Sequence, residues 1–174
     1  MYDSIITLFN YREHERLWYT TVFQGVNLIE LQNNNARMHG ETNRDAVEVI
    51  IHVQPNQRTD TIIYEPNSIT DALGNVLIAD NGARVAYADP DTNENRQYIG
   101  PKSYEVLEST RGYFTFRPGK DFFVVGNYSS VEPINDDDYD DGLYSVMNEA
   151  QDGVYMLTSA TYFSLLPHFE IGGM

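Results

Sequence analysis

In three stretches of the first 53 residues, apolar side chains recur at every second position, and this period limits the possible folds more than any other feature. In SIITLFNY, Ile5, Thr7 and Phe9 fall on one face and Ile6, Leu8 and Asn10 on the other. After the charged stretch REHER, LWYTTVF resumes the alternation, which predicts a hairpin with a polar tip. Gln24-Gly25 interrupts the second strand before VNLIEL continues it, and QNNNARMHGETNR reads as a loop or one short helical piece. AVEVIIHV, residues 46–53, is the clearest single strand, with Val47, Val49 and Ile51 on one face and Glu48, Ile50 and His52 on the other.

Residues 54–101 differ in character. They are rich in Pro, Gly, Asn and Asp, with short apolar runs at TIIY, NVLIA and ARVAYA. The last two flank Asp80-Asn81-Gly82, a favourable hairpin turn, so the segment reads as an excursion from the main sheet with small strands of its own. PKSYEVLEST places Pro101 at the start of one or two helical turns. YFTFRPGKDFFVVGNY suggests a hairpin around a type II turn at Pro118-Gly119. GVYMLTSATYFSLLPHFEIGG gives two closing strands, where Pro167 implies an edge or a bulge in the second. The expectation is one domain over 1–174 with 54–101 inserted in it. Its class is mainly β (α+β minor), an antiparallel barrel or sandwich with one or two short helices and an extended central loop excursion.

The chain carries 26 acidic and 11 basic residues, a formal charge of −15. After Lys120 there are ten acids and no Lys or Arg. Such a field repels phosphates and disfavours binding along a nucleic-acid backbone. No long apolar span and no secretory leader are visible, so synthesis in the cytoplasm and no membrane partner are expected. The absence of cysteine removes disulfides, thiolate metal sites and cysteine nucleophiles.

Asp136, Asp137, Asp138, Asp140 and Asp141 crowd NDDDYDDG. Leu143, Val146 and Met147 follow at helical spacing, with Tyr139 and Ala150 extending the stripe, so part of the run initiates a short amphipathic helix. Asn135 or Asp136 would be its N-cap, and Gly142 weakens a helix that includes it, so the helix frays there or begins after it. An EF-hand alignment with Gly142 sixth puts Asp137, Tyr139, Asp141 and Asn148 at positions 1, 3, 5 and 12, where two of the oxygen ligands are wrong. His14, His39, His52 and His168 lie in unrelated contexts. No nucleophile, phosphate-binding or metal motif appears, so no catalytic residue, metal site or cofactor is expected, and the chain does not read as an enzyme. The aromatic clusters Phe9/Tyr11, Trp18/Tyr19, Tyr113/Phe114/Phe116, Phe122/Phe123 and Tyr162/Phe163 suit either a strand core or a sugar-binding surface.

ITLFNYR and LWYTTVFQGVNL near the start, and DFFVVGNY, PINDDDYDDGLYSVMN and SLLPHFEIGG near the end, resemble an uncharacterised family encoded in the virion-structure (head–tail) gene clusters of tailed phages and prophages of Gram-positive bacteria. The resemblance covers roughly the first 53 and the last 75 residues; 54–101 departs from it, which implies an expanded loop. It implies a structural virion protein of the head–tail connector (neck), with no enzyme activity and no cofactor. The strand-dominated order favours a stopper (head-completion) ring over a helical adaptor; tail terminator and adaptor are the near alternatives. A carbohydrate-binding module of a phage tail or baseplate is the alternative of another class. On the connector reading the chain forms a homo-oligomeric ring beside portal, adaptor and tail proteins. The acidic cluster then lines the DNA channel or a ring interface, and DNA passes without specific binding. On this reading, replacing Asp136, Asp137 and Asp138 with Asn should hardly alter folding but should impair assembly or genome delivery.

Overall fold

A computed structural model of the chain describes residues 4–31, 46–52, 68–70, 76–78, 86–88, 95–110, 112–163, 165–166 and 168–174. Strand β1 (Ser4–Arg12) and strand β2 (Leu17–Leu31) form the expected hairpin across a turn at 13–16. The register steps from Ile5↔Gln24 to Ser4↔Val26, leaving Gly25 unopposed with φ at +66°. The expected break is therefore a bulge that bends one continuous strand. Beyond it β2 leaves β1 and pairs with β3 (Ala46–His52), Leu28 opposite Val49.

The remaining elements are β4 (Ser68–Thr70), β5 (Val76–Ile78), β6 (Ala86–Ala88), β7 (Asn95–Tyr98), α1 (Pro101–Val106), β8 (Tyr113–Phe114), β9 (Phe122–Val125), β10 (Ile134–Asn135), α2 (Leu143–Ala150), β11 (Val154–Phe163) and β12 (His168–Gly173). Strands β1, β9, β11, β12, β3 and β2 pair in that order and β2 returns to β1, closing a six-stranded antiparallel barrel; β10 adds to β2 outside the closure. The bent β2 belongs to both halves of the wall, which makes a barrel of what alternation alone leaves as barrel or sandwich.

Ile6, Leu8, Val47, Val49, Ile51, Phe169 and Ile171 are buried in one interior cluster with Phe23, Phe123 and Leu157, as the period-two pattern requires. Phe114 and Phe116 join it, with ring centroids 5.1 Å from Phe23 and 5.0 Å from Phe169 respectively. This small barrel is filled by side chains. The outer faces of β1 and β9 are buried as well: Phe9, Trp18, Phe122 and Val124 form a second cluster beneath α2.

The segment from β7 to 120 carries a third cluster of Ile99, Tyr104 and Leu107 and is tied to β1. Asn10 Nδ2 donates to the Thr115 carbonyl at 2.8 Å. Arg117 donates through N, Nε and Nη2 to the fully buried Asp121 carboxylate at 2.9, 3.1 and 2.7 Å, and the Tyr11 amide adds a bond of 3.1 Å. The Arg117 guanidinium also donates to the Tyr11 carbonyl and stacks 4.9 Å from the centre of the Tyr104 ring.

Three local expectations change. Pro118-Gly119 does sit in a tight turn, with Lys120 N donating to Arg117 O at 3.1 Å and Gly119 at φ +79°, but its flanks do not pair with each other. β8 runs parallel to β7, while β9 sits between β1 and β11, because the Arg117–Asp121 pair closes the turn where the chain passes into the wall. β5 pairs with β4 and β6 with β7, so the small strands flanking 80–82 do not pair with one another; that turn and TIIY lie outside the described residues, as does QNNNARMHGETNR. Position 167, also outside them, falls between β11 and β12, and β12 is no edge, since it pairs with both β11 and β3. Closure removes the edge that a proline in the second strand would have needed.

Candidate functional site

The acidic run lies against the hairpin turn at the β1–β2 end. Ile134 and Asn135 pair with Trp18 and Leu17, and the Asp136 amide donates to the Arg16 carbonyl at 2.9 Å. Asp136–Asp138 then form one 3-10 turn, whose N-cap is the Asn135 side chain accepting from the Asp137 amide at 3.1 Å. Helix α2 starts after Gly142, as a glycine at its first turn favours, and Gly142 provides it no side-chain cap. Asp136 supplies that cap from outside the helix. Its Oδ1 accepts from the Leu143 amide at 2.8 Å and from Trp18 Nε1 at 2.7 Å. A carboxylate there satisfies an orphan donor of the helix and faces the positive end of its dipole.

The five aspartates therefore divide. Asp136 is half-buried and accepts two hydrogen bonds, which sets it apart from the others and argues against grouping it with them as a folding-neutral position. Asp137 pairs with Arg16 at 2.7 Å in an exposed bridge worth at most about 1 kcal/mol. Asp138, Asp140 and Asp141 are exposed, as are Glu132, Glu149 and Asp152 on the same stretch. Every charged residue from 132 to 152 is acidic, and the exposed Arg16 guanidinium lies beside them on Asp137.

On α2, Leu143 is buried and Tyr144 and Met147 pack on the outer-wall cluster, with the Tyr144 ring 5.2 Å from Phe122. Ala150 is exposed, so the stripe turns toward Tyr144 and does not continue to Ala150 as the spacing predicts.

Among the described residues no group of three or more His, Asp or Glu gathers as metal ligands. Asp136, which the EF-hand alignment leaves out, faces inward onto backbone and indole, and Asp137 is turned to Arg16. His168 approaches Glu170 at 3.1 Å and stacks on Phe163 at 4.8 Å; His14 is exposed in the hairpin turn. His39 lies outside the described residues, and so does the side chain of His52, whose backbone is opposite His168. Of the aromatic clusters, Phe9, Trp18, Phe114, Phe116, Phe122 and Phe123 are buried and belong to the cores.

A groove of about 930 Å3 runs between α2 and the top of the barrel, bordered by Glu30, Tyr144, Asn148, Gln151, Asp152 and Tyr155. Among the described residues its charged lining is acidic, and they bring to it neither a nucleophile with a base nor a cation for phosphate. The sequence reading missed this groove and also the buried Arg117–Asp121 pair. The pair has a signal in retrospect: opposite charges four apart across Pro-Gly, inside an otherwise apolar run. Comparison with protein-family models, curated proteins and solved structures finds no match for the chain.

Proposed function

We propose that the chain is a structural subunit of the head–tail connector of a tailed phage, a stopper (head-completion) protein that assembles as a ring around the DNA channel. The observation that carries this reading is a solid closed barrel with an acidic run over 132–152 that contains no basic residue. A filled interior leaves the outer surface as the working part, and cyclic symmetry repeats that acidic run around a ring. Where such a run lines a channel, phosphates meet no cations whose binding would release counterions, so DNA slides past. A mainly β chain with two short helices suits a stopper better than an adaptor built of long helices. The resemblance to virion-structure proteins points the same way. On this reading the protein resides in the virion neck after synthesis in the host cytoplasm. Its neighbours are other copies, portal or adaptor and tail proteins.

The test is electron microscopy of virions carrying a tagged copy. Label at the neck is the expected result; label at the tail tip, or particles without the protein, overturns the proposal. Tight binding of duplex DNA by the purified chain at ordinary salt, or turnover of a substrate, overturns it as well. A second reading, a carbohydrate-binding module of a tail or baseplate, is favoured by one observation: the groove joins two tyrosines to amides and carboxylates, a lining suited to sugar hydroxyls. Glycan-array binding that is lost in Tyr144→Ala would select it.

A further inference from the structure

We infer that residues 126–153 form a flap that opens from the barrel as a unit, with Asp136 as its latch. The inference goes beyond the connector reading and stands without it.

Topology carries the first part. β9 ends at Val125 and β11 begins at Val154, yet these two strands are direct neighbours, Val124 opposite Val154, with Val125 N donating to Gly153 O at 2.9 Å. Everything from 126 to 153 is thus the long loop of one hairpin. The barrel closes through β1, β9, β11, β12, β3 and β2 without any residue of it.

Packing carries the second part. The barrel interior and the outer-wall cluster share no member. The flap contributes Ile134, Tyr139, Leu143, Tyr144 and Met147 to the outer cluster only. Lifting it uncovers Phe9, Trp18 and Phe122 on the wall and leaves the interior sealed. Separate hydrophobic clusters with few shared bonds are the physical condition for sub-global opening.

Beyond this apolar packing, the polar attachments are localised. Thr7 Oγ1 donates to Gly126 O at 2.7 Å and accepts from the Tyr128 amide at 2.9 Å. Thr20 Oγ1 accepts from the Ser130 amide at 2.9 Å. The backbone bonds to the wall are the pairing of Ile134 with Trp18 and of Asn135 with Leu17, the Asp136 amide on the Arg16 carbonyl at 2.9 Å and the Gly126 amide on the Ile5 carbonyl at 2.8 Å. Asp136 is the junction of these contacts, since its single Oδ1 ties the wall indole to the first amide of α2. Both ends of the flap are glycines in the left-handed region, Gly126 at φ +116° and Gly153 at φ +79°, backbone conformations that mark defined pivots.

The test is native-state hydrogen exchange on the full chain, with Trp18 emission and acrylamide quenching as a second readout. In Asp136→Ala the amides of Leu143–Ala150 and the Trp18 indole exchange roughly 10- to 100-fold faster, as expected from losing charge-assisted bonds. Barrel amides such as those of Val49 and Ile171 stay within about twofold of wild type, because opening the flap breaks none of their ladder. Asp136→Asn keeps an acceptor and gives an intermediate rate. Equal acceleration of α2 and barrel amides would show one cooperative unit and overturn the inference. Unchanged exchange in α2 would remove Asp136 as latch. Should Asp136→Ala fail to fold, Thr20→Val, which removes a strap anchor, is read the same way; failure of both to fold overturns the flap, since a separable unit cannot take the barrel with it.

Discussion

Removing the Asp121 carboxylate tests whether the end cap and the barrel are welded by one buried ion pair. Asp121 is fully buried and Arg117 is 6% exposed, so neither charge has water as an alternative partner. Burial pushes the Asp121 carboxyl above its ordinary range, while the Arg117 guanidinium and the Tyr11 amide pull against that rise. Asp121→Ala takes the buried carboxylate from the guanidinium, leaving it the Tyr11 carbonyl and Glu105 at 3.9 Å, and also orphans the Arg117 and Tyr11 amides. Breaking a buried pair from one side costs about 3–5 kcal/mol. For a chain of this size each kcal/mol moves the melting point by about 2–4 °C, so Asp121→Ala should lower Tm by roughly 6–20 °C. Arg117→Met combined with Asp121→Leu removes both charges and keeps apolar volume, so it should recover much of the loss. A coupling energy of about 2–3 kcal/mol is expected from the cycle closed by the single variants Arg117→Met and Asp121→Leu. Urea denaturation followed by circular dichroism and Trp18 emission provides all four corners. A cost below about 1 kcal/mol for Asp121→Ala, or additive single effects, would refute the reasoning.

Gly173→Ala would place a Cβ 2.6 Å from Phe123 Cζ and 2.8 Å from Tyr155 Cβ, inside the filled barrel; overpacking of this kind should cost about 1–3 kcal/mol in the same denaturation assay. Glu105, bonded to Lys120 at 3.0 Å, holds the lysine ammonium above its ordinary value. The stability that this exposed contact contributes is complete below the lysine's unfolded pKa and is lost as pH rises through the raised folded one; thermal melts across the alkaline range should therefore fall off less steeply in Lys120→Met. Changing Asp138, Asp140 and Asp141 together to Asn should alter stability by no more than about 0.5 kcal/mol, because these side chains are exposed. On the connector reading the same variant should reduce infectious titre at unchanged particle count, and wild-type titre would count against a role for these charges.

β3 was legible because alternation is a local property of a strand with one buried and one less buried face, and β1, buried on both, because apolar and β-branched residues fill both of its faces. Closure was not legible, because it depends on where β2 bends, and Gln24-Gly25 reads equally as a break or as a bulge until the opposing register is known. The same limit explains Pro118-Gly119. Turn chemistry fixes the turn, whereas the partners of its flanks are chosen by contacts such as that of Arg117 with β1, more than a hundred residues away in sequence.

The acidic run makes the point most sharply, since its five aspartates look equivalent when counted as charge. Asp136 differs only because Trp18, 118 residues earlier, aims an indole N–H at it while the first amide of α2 does the same. A local hint exists: a helix that opens behind glycine lacks its own cap, and an aspartate several residues upstream is a candidate to supply one. Once Asp136 is assigned to the fold, the electrostatic reading rests on fewer groups. Asp138, Asp140, Asp141, Glu149 and Asp152 are exposed, whereas the carboxylate that holds the flap shut faces the wall. Charge and latch are therefore separable by mutation: neutralising the exposed acids should change how the surface meets a polyanion without loosening α2, and removing Asp136 should do the reverse.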